Sequence, residues 1–272
     1  MRPPTDRRRL PFIIAVIVVL CAAAIAVSVA IDNADSTTPV GALTPTPVPT
    51  ATPTPSPTPT ATPTAPIVTL TPDAVAGTPC SSASFGADLA TLDEPSNPHV
   101  YSAEPAMNIN TGKLYQVVLH TDRGDITLCL EPSLAPNTVN VIVTLVRNHF
   151  YDGMPFPRVC PNPSSSECTG LSIIQTGDPN CIGNINASSC GSGGPGFSFD
   201  DEAVKGSYTT GCVAMANSGA NTNGSQFFIC TGNNSSLPKS YNYFGVVSAG
   251  LNVAQAIEQG DVINTATVQE QS

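Results

Sequence analysis

The chain reads as a mainly β protein, a closed or nearly closed antiparallel barrel carried behind an apolar helix and a proline-rich spacer. Three observations predict this. From residue 115 onward, short segments of alternating apolar and polar residues recur between turn residues, with only two stretches of helical spacing. Residues 12–31 are almost wholly apolar and follow Arg2, Arg7, Arg8 and Arg9. Between these regions runs a Thr-Pro repeat. A net charge of −10 argues against a nucleic-acid partner, whose binding needs a basic face.

Taken in order, residues 1–11 form a basic tail and residues 12–31 have the length of a bilayer span, about 20 residues, rather than the shorter apolar core of a secretory signal. Positive residues stay on the cytoplasmic side, and Asp32 and Asp35 follow the apolar run. The expectation is a single-pass anchor with the N-terminus in the cytoplasm and everything after it outside. The alternative is a cleaved and secreted chain, because Ser28-Val29-Ala30 has the small-residue spacing a signal peptidase accepts. Cys21 follows Leu20, too large for a lipidation box, and reads as a cysteine within the apolar helix. Residues 32–79 read as a disordered linker. In the repeat within it, at residues 37–66, proline removes amide donors and fixes φ, so the chain extends as polyproline II. At ~3.1 Å per residue this stretch reaches about 90 Å.

Residues 80–110 are a weakly patterned lead-in with no assignable role, and residues 111–272 form the folded domain. Residues 115–120 and 125–130 alternate around Thr121-Asp122-Arg123-Gly124, a hairpin with glycine at its turn. Residues 135–150 open with Pro136, suited to a first helical turn, and place Val139, Ile142, Val143, Val146 and Phe150 at helical spacing. The same residues are rich in β-branched side chains, which favour a strand. Further strands are expected near 173–175, 211–216, 227–231, 243–247 and 267–270, with a helix at 252–258.

Apart from Cys21 there are eight cysteines: Cys80, Cys129, Cys160, Cys168, Cys181, Cys190, Cys212 and Cys230. An even set fits an oxidising compartment, and the sequence leaves many pairings open. Cys160/Cys168 and Cys181/Cys190 each close a short Ser/Asn-rich loop, which favours local pairs. Their spacings do not suit zinc, and His99, His120 and His149 do not cluster with them, so no metal site is expected.

The central stretch is Met215-Ala216-Asn217-Ser218-Gly219-Ala220-Asn221-Thr222-Asn223-Gly224-Ser225-Gln226-Phe227-Phe228-Ile229, a polar loop between two strands. It closely resembles the signature of the cyclophilin-type peptidyl-prolyl isomerases. Residues 150–159 (Phe-Tyr-Asp-Gly-Met-Pro-Phe-Pro-Arg-Val), residues 174–179 (Ile-Gln-Thr-Gly-Asp-Pro), residues 193–197 and residues 243–247 resemble further blocks of that family, in the family's order. The resemblance implies a barrel of eight antiparallel strands capped by two helices, no cofactor, a monomer, and proline-containing polypeptides as partners.

It also implies a site. Arg158 matches the catalytic arginine, Gln175 would orient it, and Phe156, Ile173, Phe228 and Leu237 would line a proline pocket. Ala216, Asn217, Gln226 and Tyr241 fall at other groove positions. Read without the family, Arg158 is a solvated surface charge and both phenylalanines are core aromatics. Departures from the pattern are Pro157 beside the arginine, Ser172 where a groove phenylalanine is common, Ser236 where many members have tryptophan, and Tyr241 in place of histidine. The implied activity is prolyl isomerisation of exported chains, and the rival is a peptide-binding or chaperone module on the same fold.

If the strands flanking the loop are antiparallel with Met215 opposite Phe227, Cys212 lies opposite Cys230, within reach of a cross-strand disulfide. Two buried thiols are the other reading. Should that disulfide form, elimination leaves Cys80 with Cys129.

Overall fold

The computed structural model describes residues 68–272 apart from 76, 93–95, 161–167 and 169. The basic tail, the anchor and residues 32–67 of the linker lie outside the described residues. Among the described residues, no helix is long and apolar enough to cross a membrane.

Alternation builds the first hairpin. Strand β2 (Tyr115–Thr121) buries every second residue and pairs antiparallel with β3 (Gly124–Leu130), from Tyr115 opposite Leu130 to Thr121 opposite Gly124. Gly124 takes φ of 123°, a conformation L-side chains rarely adopt, so the tight turn at Asp122-Arg123 requires it. The segment with divided preferences is a helix, α1 (Pro136–Arg147), with Pro136 in its first turn. Tertiary burial overrides β-propensity here: Thr138 through Val146 are all buried. Ala135 offers the N-terminus no side-chain cap. Glu202 supplies one from a distant loop, accepting from the amides of Asn137 (3.0 Å) and Thr138 (2.8 Å).

The remaining strands are β1 (Phe85–Asp88), β4 (Met154–Pro155), β5 (Arg158–Cys160), β6 (Ile173–Thr176), β7 (Cys212–Met215), β8 (Phe227–Cys230), β9 (Tyr243–Ala249) and β10 (Val262–Gln271), with α2 (Leu251–Ala256) before the last. All pairs are antiparallel, in the order β1-β10-β2-β3-β9-β7-β8-β6-β5, and β4 pairs with β10. The pairing circuit therefore returns to β10 through the β4–β5 stretch. Among the described residues the expected count of eight becomes ten for two reasons. Phe156-Pro157 interrupts one path, leaving β4 on β10 and β5 on β6. Strand β1 adds to the edge of β10 that β4 leaves open, Phe85 facing Gln271. Strand β10 is longer than the expected 267–270, because exposed Asn264 and Thr265 and a bulge between Ile263 and Thr265 break its alternation.

Residues 68–79, read as the end of the linker, lie on the domain. The Leu70 amide donates to the Arg123 carbonyl (2.7 Å), Val75 to Ser248 (2.8 Å) and Gly250 to Asp73 (2.7 Å). Polar Thr, Pro and Asp residues carry no periodicity, and these contacts are made by the main chain.

Two apolar clusters result. The larger fills the barrel with Leu119, Leu128, Val143, Phe150, Phe227 and Phe244 among others. The smaller lies on the other face of β6, β7 and β8 and contains Ile173, Tyr208, Ala214, Phe228 and four cysteines. Disulfides join Cys80–Cys129, Cys160–Cys168, Cys181–Cys190 and Cys212–Cys230, with Cα separations of 5.7, 5.2, 4.6 and 5.0 Å. The register behind the last pair is the expected one, Met215 opposite Phe227.

Candidate active site

Adjacent strands carry the polar centre of the site. On β5 and β6, Arg158 stands opposite Gln175, and on β8, Phe228 stands opposite Gln175 from the other side. Cross-strand neighbours on one face are close enough to touch. Arg158 Nη1 donates to Gln175 Oε1 at 3.4 Å, and Gln175 Nε2 donates to Gln226 Oε1 at 2.9 Å. Gln226 is held in turn by the Ala216 amide, which donates to its carbonyl (2.9 Å).

Arg158 and Gln175 border a cavity of about 120 Å³ whose apolar walls are Leu171, Ile173, Phe228, Leu237 and Tyr241, with Ala216 and Asn217 on its margin. The phenol of Tyr241 meets Phe228 edge-on, ring centroids 5.7 Å apart. Behind them Tyr208 is buried, donating its hydroxyl to the Tyr241 carbonyl (2.7 Å) and accepting from the Tyr241 amide (3.0 Å). Burial raises the Tyr208 pKa above its ordinary value, so the hydroxyl keeps its proton. The loop carrying Leu237 is pinned by buried Asn234, which accepts from the Ser172 amide (2.8 Å) and donates to the Ser172 carbonyl (2.8 Å).

Most of the expected residues converge: Arg158, Ile173, Gln175, Ala216, Asn217, Phe228, Leu237 and Tyr241 border this one cavity. Gln226 reaches it through Gln175 and borders a second, more polar cavity of about 270 Å³ that shares Gln175, Ala216 and Asn217. Phe156 does not converge. It is fully buried in the barrel cluster, because the break between β4 and β5 falls at Phe156-Pro157 and the two-residue parity with Arg158 is lost there. Ser172, where a groove phenylalanine is common in the family, is buried under the 231–237 loop, and its neighbour Leu171 borders the cavity. Sequence reasoning missed Leu171 and Tyr208. Each is a lone apolar or aromatic residue in a Ser/Gly/Thr stretch, without periodicity to mark it.

The Asn217 side chain is engaged within the fold, donating to the Ser240 carbonyl (2.8 Å) and accepting from the Gly219 amide (3.3 Å). A larger cavity of about 550 Å³ beside α2 has Arg123 as its cation, but that guanidinium is committed to Asp261 (2.6 Å) and Glu258 (2.8 Å). Asp178, Cys181 and Cys190 bring three ligand-type atoms within 4.8 Å of one another, and both sulfurs are spent in the disulfide.

The arrangement can hold one small apolar ring and aim a planar cation at its edge. The profile of the cyclophilin type peptidyl-prolyl cis-trans isomerase/CLD family matches residues 116–271. A putative peptidyl-prolyl cis-trans isomerase of Staphylococcus aureus is 42% identical over 115 residues, which is 42% of this chain and 51% of that protein. Its Staphylococcus epidermidis counterpart is 41% identical over the same shares. The chain thus spans about half the length of the curated relatives it matches. A crystal structure of a Cryptosporidium parvum cyclophilin type isomerase aligns with a TM-score of 0.47 at 27% identity, covering 57% of this chain and 97% of that one. With the family profile covering more than half of its length, this chain belongs to the cyclophilin-type peptidyl-prolyl cis-trans isomerase family.

Proposed function

We propose that the domain is a peptidyl-prolyl cis–trans isomerase using Arg158 as its catalytic group. The observation that carries this is the Arg158 guanidinium, hydrogen-bonded to Gln175, at the border of a small cavity with five apolar walls. Amide resonance sets the barrier to X–Pro rotation at about 18–20 kcal/mol. As the bond twists, the prolyl nitrogen regains its lone pair, and an N–H donor aimed there stabilises the twisted state more than either planar one. Reaching about 10³ s⁻¹ requires lowering the barrier by roughly 7 kcal/mol. The apolar walls hold the ring while the preceding carbonyl swings, and the Asn217 main chain pairs with the extended substrate, as in strand-like peptide capture. No nucleophile or proton transfer is required.

The test is exchange of a blocked X–Pro peptide by the purified domain. Arg158→Ala should lower turnover by about 10²-fold or more and leave thermal unfolding nearly unchanged, since Arg158 is only partly buried. Arg158→Lys should recover little, because a point charge does not reproduce the planar fork. Wild-type turnover in Arg158→Ala removes Arg158 from the reaction. Peptide binding with no exchange by the unmodified domain makes it a peptide-binding module instead.

We further propose that the domain works outside the cytoplasm on exported chains, held to the membrane by residues 12–31. Four disulfides support the compartment, since such bonds persist where thiols are not kept reduced. The length of the apolar run supports the anchor. Fractionation and protease treatment of intact cells decide both points. A domain protected from added protease overturns the location, and a soluble secreted product overturns the anchor in favour of cleavage after Ala30.

A further inference from the structure

We propose that Asp178 and the Cys181–Cys190 loop are positioning elements that fix the direction of a hydrogen-bond chain ending on Arg158. This inference rests on the isomerase reading above. A glutamine carboxamide donates at one end and accepts at the other, and its partners decide which end faces which way. At one terminus of this chain stands Arg158, a donor without acceptor capacity. At the other terminus Gln226 Nε2 meets acceptors alone: the carbonyls of Gly193 (2.8 Å) and Gly191 (3.3 Å) and Asp178 Oδ2 (3.4 Å). Gln226 must therefore turn its Oε1 to Gln175 Nε2 (2.9 Å), and Gln175 must turn its Oε1 to Arg158 Nη1 (3.4 Å). Reversing either carboxamide sets donor against donor.

The acceptors at the far end are themselves fixed. Asp178 is 1% exposed, and a buried carboxylate with no ion pair among the described residues needs donors on its oxygens. It receives the amides of Asn180 (2.8 Å), Gly191 (2.6 Å) and Gly193 (3.0 Å). Gly193 admits no side chain, since a Cβ there would collide with the Asp178 carboxylate. The turn Pro179–Cys181 starts at Asp178, and Gly191 directly follows Cys190. The disulfide thus ties both ends of the loop to the carboxylate they share. None of the residues from 178 to 193 borders the cavity that holds Arg158. Their effect on that cavity runs through Gln226 and Gln175, on the twisting step rather than on seating of the ring.

The test compares Cys181→Ser/Cys190→Ser and Asp178→Asn with a control that opens another disulfide, Cys80→Ser/Cys129→Ser. On a short blocked Ala-Pro peptide, both loop variants should lose roughly tenfold or more in kcat. Peptide affinity, read by titration, should stay within about twofold. The control should lose stability and keep kcat. Asp178→Asn preserves shape while replacing an acceptor by a donor, so it serves if the double variant fails to fold. Unchanged kcat in the loop variants, or kcat and affinity falling together, overturns the proposal, as does an equal kcat loss in the control. Should the unmodified domain show no exchange, the isomerase reading fails, and the side-chain amide resonances of Gln175 and Gln226 decide the positioning claim alone. Shifts in both on opening the Cys181–Cys190 disulfide uphold it, and unmoved resonances overturn it.

Discussion

The two faces of β6, β7 and β8 use the same strands for different ends. Toward the barrel, Ile174, Val213, Met215, Phe227 and Ile229 pack among the residues that fill it. One residue along, Ile173, Cys212, Ala214, Phe228 and Cys230 face the other way, into the smaller cluster. The inner face is covered by the barrel itself. The outer face is covered by irregular segments, and these are secured by bonds of other kinds: the Cys160–Cys168 disulfide, the Tyr208–Tyr241 hydrogen bonds and the buried Asn234. Irregular cover that stops short leaves the cavity beside Arg158. Residues that fill the barrel and residues that border the proposed recognition cavity therefore lie a single position apart in sequence.

Exchanging neighbours should break this division most sharply. Phe227→Ala empties the barrel side and should cost about 3–5 kcal/mol in chemical unfolding. Phe228→Ala, on the cavity side, should cost clearly less and weaken X–Pro peptide binding instead; equal stability losses would erase the distinction. Next in size, Cys212→Ala/Cys230→Ala removes the staple across β7 and β8 and should lower stability by about 3 kcal/mol. Peptide affinity should fall with it, because Phe228 lies in the same cluster as that disulfide.

A smaller effect sharpens the inner face through pH. Burial, then the hydrogen bond to Glu270 (2.7 Å), raises the Tyr115 pKa to about 12 from 10.0. The folded state therefore keeps this proton where the unfolded chain loses it. The stabilisation, of order 2 kcal/mol, is complete below pH 10 and fades as pH rises toward 12. Tyr115→Phe should flatten the decline in unfolding free energy across that window. An unaltered slope would refute this cause.

How much of this could be read from sequence follows from where the signal is local. The β7–β8 register was legible because Met215, Phe227, Cys212 and Cys230 obey one counting rule across a hairpin. The cavity residues were legible through family blocks; in β7 and β8 all four residues are buried, so alternation distinguishes no face. Phe156 was carried into the pocket by the family resemblance, whereas the reading without the family, a core aromatic, matches its burial in the barrel cluster. Leu171 and Tyr208 act through partners far along the chain. Strand β1 and residues 68–79 bond through the main chain, which composition does not record.

The path of residues 68–80 determines how the domain resists force. Tension arriving from the N-terminal side meets first the Leu70–Arg123, Asp73–Gly250 and Val75–Ser248 hydrogen bonds, all of which can be peeled one at a time. Peeling releases a dozen residues, about 40 Å of slack, and then stops at Cys80. From there the load passes covalently to Cys129, a fully buried residue in β3 with β2 on one side and β9 on the other. Ladder pairs hold that strand along both edges, so the load enters the sheet at its interior rather than at a free edge. The arginine on β5 lies several strands away in the sheet order.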